Sequence, residues 1–403
     1  MSPPKRKVTD HVVDDSGTAL GDRKYRPDVE GLRAVAVMAV VMFHAGLGHM
    51  RSGFVGVDVF FVISGFVITG VLLRKSESHM PLGLAEFYAR RCRRILPAAG
   101  LVLTLVIFAS YHWLGFIRGA EVADDARWCA VFLGNVHFSA VDTNYFSAKL
   151  PSSPLQNYWS LGVEEQFYVF YPCALAACVA LSAKVPVRVK VQVFTGIVFV
   201  ASLAWSIYYT SKNPTAAYFS SFTRAWELAA GGFVCAGTKL WKQIPKVVGA
   251  ALSWLGTAAV VLAVFLFTTS TPYPGSAALL PVLGAVLIIV GGTPASKWGS
   301  ELVLGTFPFR WIGRCSFSLY LWSWPILTLM VESSTKALTT PQRLVSVVLA
   351  LGASAATYFA IENPVRHSRV LAKSSWRSIA VGAIIVAAVL TVATIEIHTT
   401  QAL

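Results

Sequence analysis

Residues 31–46 read GLRAVAVMAVVMFHAG. The run is apolar enough to begin a membrane helix, yet Arg33 stands near one end and His44 near the other. Eleven steps at 3.6 residues per turn is close to three full turns. A helix therefore projects both side chains from one face, separated along its axis by roughly 16 Å. Arg33 alone is compatible with snorkelling to a headgroup, and His44 alone with a satisfied interior histidine. A cation and a titratable imidazole on the same stripe argue instead for a face that looks into the protein and does chemistry there.

The rest of the chain supports the membrane reading of this run. It has 403 residues, 55% hydrophobic and only 13% charged, with a mean hydropathy of +0.60. So little charge cannot cover a soluble protein of that length, so the class is a polytopic membrane protein. A net charge of +14 first suggests nucleic acid, but basic loops on one side of a membrane explain it better, and no nucleic-acid partner is expected. The six cysteines are scattered without metal-ligand spacing, so no metal is expected. Residues 1–24 are polar, have no apolar core and read as a disordered cytoplasmic tail rather than a cleavable signal peptide. The KRK within them reads as a topology determinant.

Eleven apolar runs of spanning length lie near 31–47, 54–73, 95–115, 158–182, 191–210, 223–238, 247–268, 277–292, 311–331, 342–361 and 378–396. With the N-terminus inside, about 25 Lys and Arg fall on the cytoplasmic side against about six outside. The C-terminus is then extracytoplasmic, and the location is the inner (plasma) membrane. WCAVFLGNVHF, residues 128–138, is apolar but about half a span long. Counting it as a span would invert every later loop, so it reads as a re-entrant or interfacial piece of the outer loop 116–157. The chain shows no internal repeat.

Four further constellations carry ionisable groups in or beside spans. FVGVDVFFVISGF (54–66) puts Asp58 at a depth similar to His44, where it could fix the imidazole tautomer or simply serve a structural cluster. FYARRCRRILPA (87–98) brings Arg90, Arg91, Arg93 and Arg94 to the start of the third span; such forks suit anionic lipid or a phosphate clamp. WSLGVEEQFYVFYP (159–172) sits at the outer start of the fourth span, with Glu164, Tyr168 and Tyr171 on one face. FTRAWELAAGG (222–232) places Arg224 and Glu227 three apart, so the two can pair with each other.

Taken in order, these motifs resemble the membrane acyltransferase-three family, which includes O-antigen and peptidoglycan O-acetylases and macrolide acylases. The resemblance runs from YRPDVEGLRAVAVMAVVMFHAG through SPLQNYWSLGVEEQFY, RAWELAAGG and SFSLYLWSWP to IENPVR, roughly residues 25 to 366. It implies an all-α fold with a ten-helix acyltransferase core over 25–366. Residues 367–403 would then form a cytoplasmic linker, an eleventh transmembrane helix and a short outer tail. It also implies transfer of an acyl group, often acetyl, from cytoplasmic acyl-CoA to a hydroxyl of an extracytoplasmic or lipid-linked sugar. On that reading Arg33, Arg90, Arg91 and Arg94 hold the donor phosphates. His44 is general base or acyl carrier, Glu164 or Asp58 orients it or receives the acceptor sugar, and Tyr168, Arg224 and Glu227 are candidate acceptor contacts. In this chain Ser323 and Asn157 stand where members often have His. Fused relatives continue into an SGNH hydrolase-like domain, so either a separate SGNH-type partner supplies it or the acceptor is acylated directly. The competing reading is a transporter or flippase of a glycolipid or acyl donor, against which the lack of repeated halves counts.

Overall fold

Each of the eleven apolar runs forms a helix. The fold is that of a computed structural model, which describes residues 26–48, 50–78, 83–142, 151–180, 184–268, 270–294 and 298–401. The tail expected over 1–24 lies outside the described residues. The main helices are α1 (Pro27–His44), α2 (Gly56–Glu77), α3 (Leu84–Leu114), α4 (Phe116–Ala130), α5 (Gly134–Asp142), α6 (Tyr158–Ala180) and α7 (Val187–Lys212). They are followed by α8 (Ser221–Ala236), α9 (Lys246–Leu266), α10 (Leu279–Gly292), α11 (Phe307–Glu332), α12 (Thr340–Thr357) and α13 (Ser375–Gln401). No strand occurs among the described residues. By length and composition, six stretches there can each cross a membrane: Gly53–Glu77, Leu84–Leu114, Val187–Lys212, Lys246–Leu266, Thr340–Ala372 and Ser375–Gln401. The protein is a multi-pass, all-α membrane protein. α1, α6 and α8 carry charged residues that a lipid-facing helix could not tolerate, and these helices line the interior.

Close helix approach relies on glycine. A Cβ on Gly65 of α2 would lie 1.8 Å from the Leu228 carbonyl oxygen, and one on Gly231 of α8 would lie 1.9 Å from that of Val62. The two backbones touch there, which brings Asp58 of α2 and Arg224 of α8 into one plane of the bundle. α13 docks on α3 in the same manner, with Ile385 over Gly100 and Leu96 over Gly382. Arg93 ties the joint, donating to Ser378 Oγ at 2.6 Å and to the Leu371 carbonyl at 3.2 Å.

The segment 128–138 takes the form of a re-entrant hairpin. The chain breaks at Gly115 (φ +84°), and α4 returns alongside α3 and α13 for about 22 Å. Cys129 and Ala130 thereby reach the level of Ala99 and Gly100, the midpoint of α3. Phe132 turns the chain at φ +59°. Gln166 holds the tip, donating to the Phe132 carbonyl at 3.0 Å and to Asn135 Oδ1 at 2.8 Å, while Asn135 Nδ2 donates to the Phe219 carbonyl at 3.1 Å.

The fourth apolar run does not start at the outer surface, contrary to the sequence expectation. Residues 151–157 enter the bundle without forming a helix, and Leu155 and Asn157 are buried. Such backbone survives at membrane depth only when protein groups satisfy it. Here Trp324 Nε1 donates to the Ser153 carbonyl at 2.8 Å, and Asn157 Nδ2 donates to the Tyr320 carbonyl at 2.8 Å. The Tyr158 hydroxyl donates to the Ala99 carbonyl at 3.1 Å, so α6 begins halfway along the bundle. Its next two turns therefore descend toward the arginines instead of lying level with His44.

Candidate active site

α1 is packed nearly all round. Leu32, Ala34, Ala36, Val37, Val40 and Val41 are buried, whereas Arg33 and His44 keep partial access. Both face α11. Arg33 Nε donates to Ser316 Oγ at 3.1 Å, and the His44 ring lies against Trp324 with centroids 4.5 Å apart and planes at 59°. Ser316 and Trp324 are eight residues apart on one stripe of α11, with Tyr320 between them. The shared face read from the spacing is thus a real seam between two helices. The arginine end and the histidine end name its two extremes below.

At the histidine end, Nδ1 of His44 is buried and has no hydrogen-bond partner among the described residues. Its ring neighbours are Trp324 and Phe43. Neither Asp58 nor Glu164 touches it, so the expectation that one of them orients the imidazole finds no contact to rest on.

The arginine end gathers more than the sequence suggested. Arg91 forks onto Glu165, with Nε to Oε2 at 3.2 Å and Nη2 to Oε1, and its guanidinium lies 3.4 Å from the centre of the Tyr168 ring. Glu164 lies here too, accepting from Ser64 Oγ at 2.8 Å and standing 3.8 Å from Arg91 Nη2. Glu164 and Tyr168 therefore belong with the arginines, and their expected place near the outer face is corrected by the mid-depth start of α6. The four clustered arginines are not equivalent. Arg90 pairs with Glu86 at 2.8 Å, Arg91 with Glu165, and Arg93 is committed to α13. Arg94 makes no hydrogen bond or ion pair with the described residues, and it lies close enough to Arg33 and Glu362 to act on their charges. Arg94 is bound to no carboxylate among the described residues, and Arg33 spends only its Nε, on Ser316.

Asp58, Arg224 and Glu227 form a separate knot. Arg224 Nη1 donates to Asp58 Oδ1 at 2.8 Å and to Glu227 Oε1 at 3.1 Å, and the Tyr273 hydroxyl donates to Asp58 Oδ2 at 2.5 Å. Tyr218 and Trp159 flank the guanidinium at 4.9 and 5.3 Å. All three charged side chains are sealed from solvent.

Sequence reasoning passed over Glu362. It is buried, accepts from Ser318 Oγ at 2.6 Å, and ends a five-residue π-helical turn, Tyr358–Glu362, beside Arg33 and Arg94. Such turns inside α-helices are frequent at functional sites. A glutamate closing an apolar run just before Asn-Pro was the signal that could have found it.

The interior seam thus carries guanidinium donors at one end and an unpartnered imidazole nitrogen at the other. The chain belongs to the acyltransferase family, whose acyltransferase-domain profile matches residues 26–360. The peptidoglycan O-acetyltransferase OatA of Listeria monocytogenes is 33% identical over 327 residues, covering 77% of this chain and 51% of that protein. YrhL of Bacillus subtilis, provisionally designated a peptidoglycan O-acetyltransferase, is 31% identical over 321 residues, covering 76% and 49%. A provisionally designated O-acetyltransferase of Staphylococcus aureus is 31% identical over 315 residues, covering 76% and 51%. The chain thus spans about half the length of the curated relatives it matches. No solved structure matches it.

We predict that Arg33→Lys will weaken donor binding by about tenfold or more. Lysine keeps the charge but loses the fork that can bond Ser316 and a phosphate together. Titrating acyl-CoA against the two purified proteins checks this, and equal affinity would leave Arg33 a charge anchor only.

Proposed function

We propose that this protein is an O-acyltransferase that moves an acyl group, acetyl in the first instance, from acyl-CoA to a hydroxyl of a cell-envelope glycan or glycolipid. The observation that carries the reading is the seam itself. Arg33 and Arg94 can hold the donor's phosphates at one end, and His44 stands about 16 Å further along the same face, within the span of an extended pantetheine arm. The relatives' designations support an acetyl donor and a glycan acceptor.

The reaction needs little from the protein beyond placement and one proton transfer. His44 takes the proton of the acceptor hydroxyl as its oxygen attacks the thioester carbonyl. The tetrahedral adduct then expels the CoA sulfur, which leaves with that proton as the thiol. Alternatively a ring nitrogen of His44 attacks first, releases CoA and passes the acyl group on. Glu164 and Glu362, each held by a serine hydroxyl, sit among the arginines, where they can orient Arg33 and Arg94.

The charge bias along the chain puts the arginine end in the cytoplasm. In sealed vesicles of one orientation, acyl-CoA is expected to be productive only from the arginine side, with a soluble acceptor analogue productive from the other. Labelled donor that works from the histidine side would overturn the reading.

A further inference from the structure

The α11 stripe carries Arg33 at Ser316 and His44 at Trp324. Between them, at Tyr320, sits Asn157. Its amide nitrogen donates to the Tyr320 carbonyl at 2.8 Å. A carbonyl can only accept, so this bond settles which end of the amide is the oxygen. The Tyr320 hydroxyl returns the contact, donating to the Asn157 backbone carbonyl at 2.9 Å, and lies 2.7 Å from Ser160 Oγ. These groups satisfy one another and clamp the asparagine. Asn157 is 5% exposed, yet its Oδ1 is buried with no partner among the described residues. A buried acceptor held rigid and left unpaired is costly unless a ligand brings the missing donor.

The level of this oxygen on the stripe narrows the ligand. It stands between the phosphate-holding and acyl-handling ends, where a donor arm would pass and an acceptor entering from the histidine end would not. Tyr320 and Trp324 are one helical turn apart, a rise of about 6 Å. In an acyl-CoA, two methylenes separate the sulfur from the first amide nitrogen. Ordinary bond lengths put that nitrogen about 5 Å from the thioester carbonyl carbon in an extended arm. With the thioester at His44, that N–H falls at the level of Asn157.

We propose that Asn157 Oδ1 accepts the N–H of the cysteamine amide of the donor's pantetheine arm, registering the thioester against His44; the inference rests on the acyl-CoA reading above. The test uses an unreactive thioether analogue of acetyl-CoA in two forms, one with the native amide and one with an ester oxygen in place of that N–H. Their affinities for the purified full chain are measured by calorimetry. The wild-type protein is expected to prefer the amide by about tenfold or more, and Asn157→Leu to bind both forms equally at the weaker affinity. Tight binding of both forms by the wild-type protein without preference overturns the inference while leaving the donor reading intact, and this comparison needs no variant. A preference that persists in Asn157→Leu, or a loss confined to the acceptor's KM, also overturns it. Failure of the wild-type protein to bind either form overturns the donor reading and the inference together.

Discussion

Replacing His44 with alanine is expected to lower acyl transfer by about 10²–10⁴-fold, the usual loss for a general base, and by more if the imidazole carries the acyl group. The expectation follows from what His44 does and does not touch. Its side chain packs against Trp324 and Phe43, and its Nδ1 bonds nothing among the described residues. Truncation therefore breaks no hydrogen bond, and the variant should insert and unfold much like the parent. Transfer rate and thermal unfolding in detergent, measured on the same preparation, separate lost chemistry from lost fold. Near-normal turnover by a stable His44→Ala protein would sink the mechanism. The two chemical routes differ without acceptor: a carrier histidine accumulates a protein heavier by one acyl group when donor alone is supplied, whereas a general base does not.

The helices were legible in the sequence, because an apolar run of spanning length has few alternatives in a bilayer. The pairing of Arg33 with His44 was legible too, since a period of 3.6 fixes which side chains share a face. Depth was not. The run at 158 looks like an outer start because polar residues precede it. Asn157 is nevertheless buried, and the groups that hold Ser153 and Asn157, Trp324 and Tyr320, are more than 160 positions away in the chain. That one displacement carries Glu164 and Tyr168 from the histidine end to the arginines, and hydropathy has no signal for it. The division of labour among Arg90, Arg91, Arg93 and Arg94 was hidden for the same reason. Their partners come from α3 itself, α6 and α13, and four adjacent arginines look alike until those partners are known.

The Asp58–Arg224–Glu227 knot calls for a prediction about stability more than turnover. The spacing of Arg224 and Glu227 foresaw their pairing, which is 3.1 Å long; the link to Asp58 depends on the glycine contact between α2 and α8. One buried guanidinium bridges two buried carboxylates and also donates through Nε to the Tyr218 carbonyl at 3.2 Å. Arg224→Met keeps most of the volume and removes the cation, leaving two carboxylates facing each other with only the Tyr273 hydroxyl for support. Breaking a buried ion pair from one side typically costs about 3–5 kcal/mol, so this variant is expected to unfold at much lower temperature or to fail to accumulate in the membrane. The triple change Arg224→Met, Asp58→Asn, Glu227→Gln leaves no buried charge and is expected to recover much of the loss. Arg224→Lys should fall between, since an ammonium cannot bridge both carboxylates and stack on Tyr218 and Trp159 together. Thermal unfolding of the four proteins in one detergent gives the comparison. If Arg224→Met melts with the parent, the knot is not holding α2 to α8. Arg224 and Glu227 would then return to the acceptor-binding role that the family resemblance first suggested, with acceptor KM as the next quantity to measure.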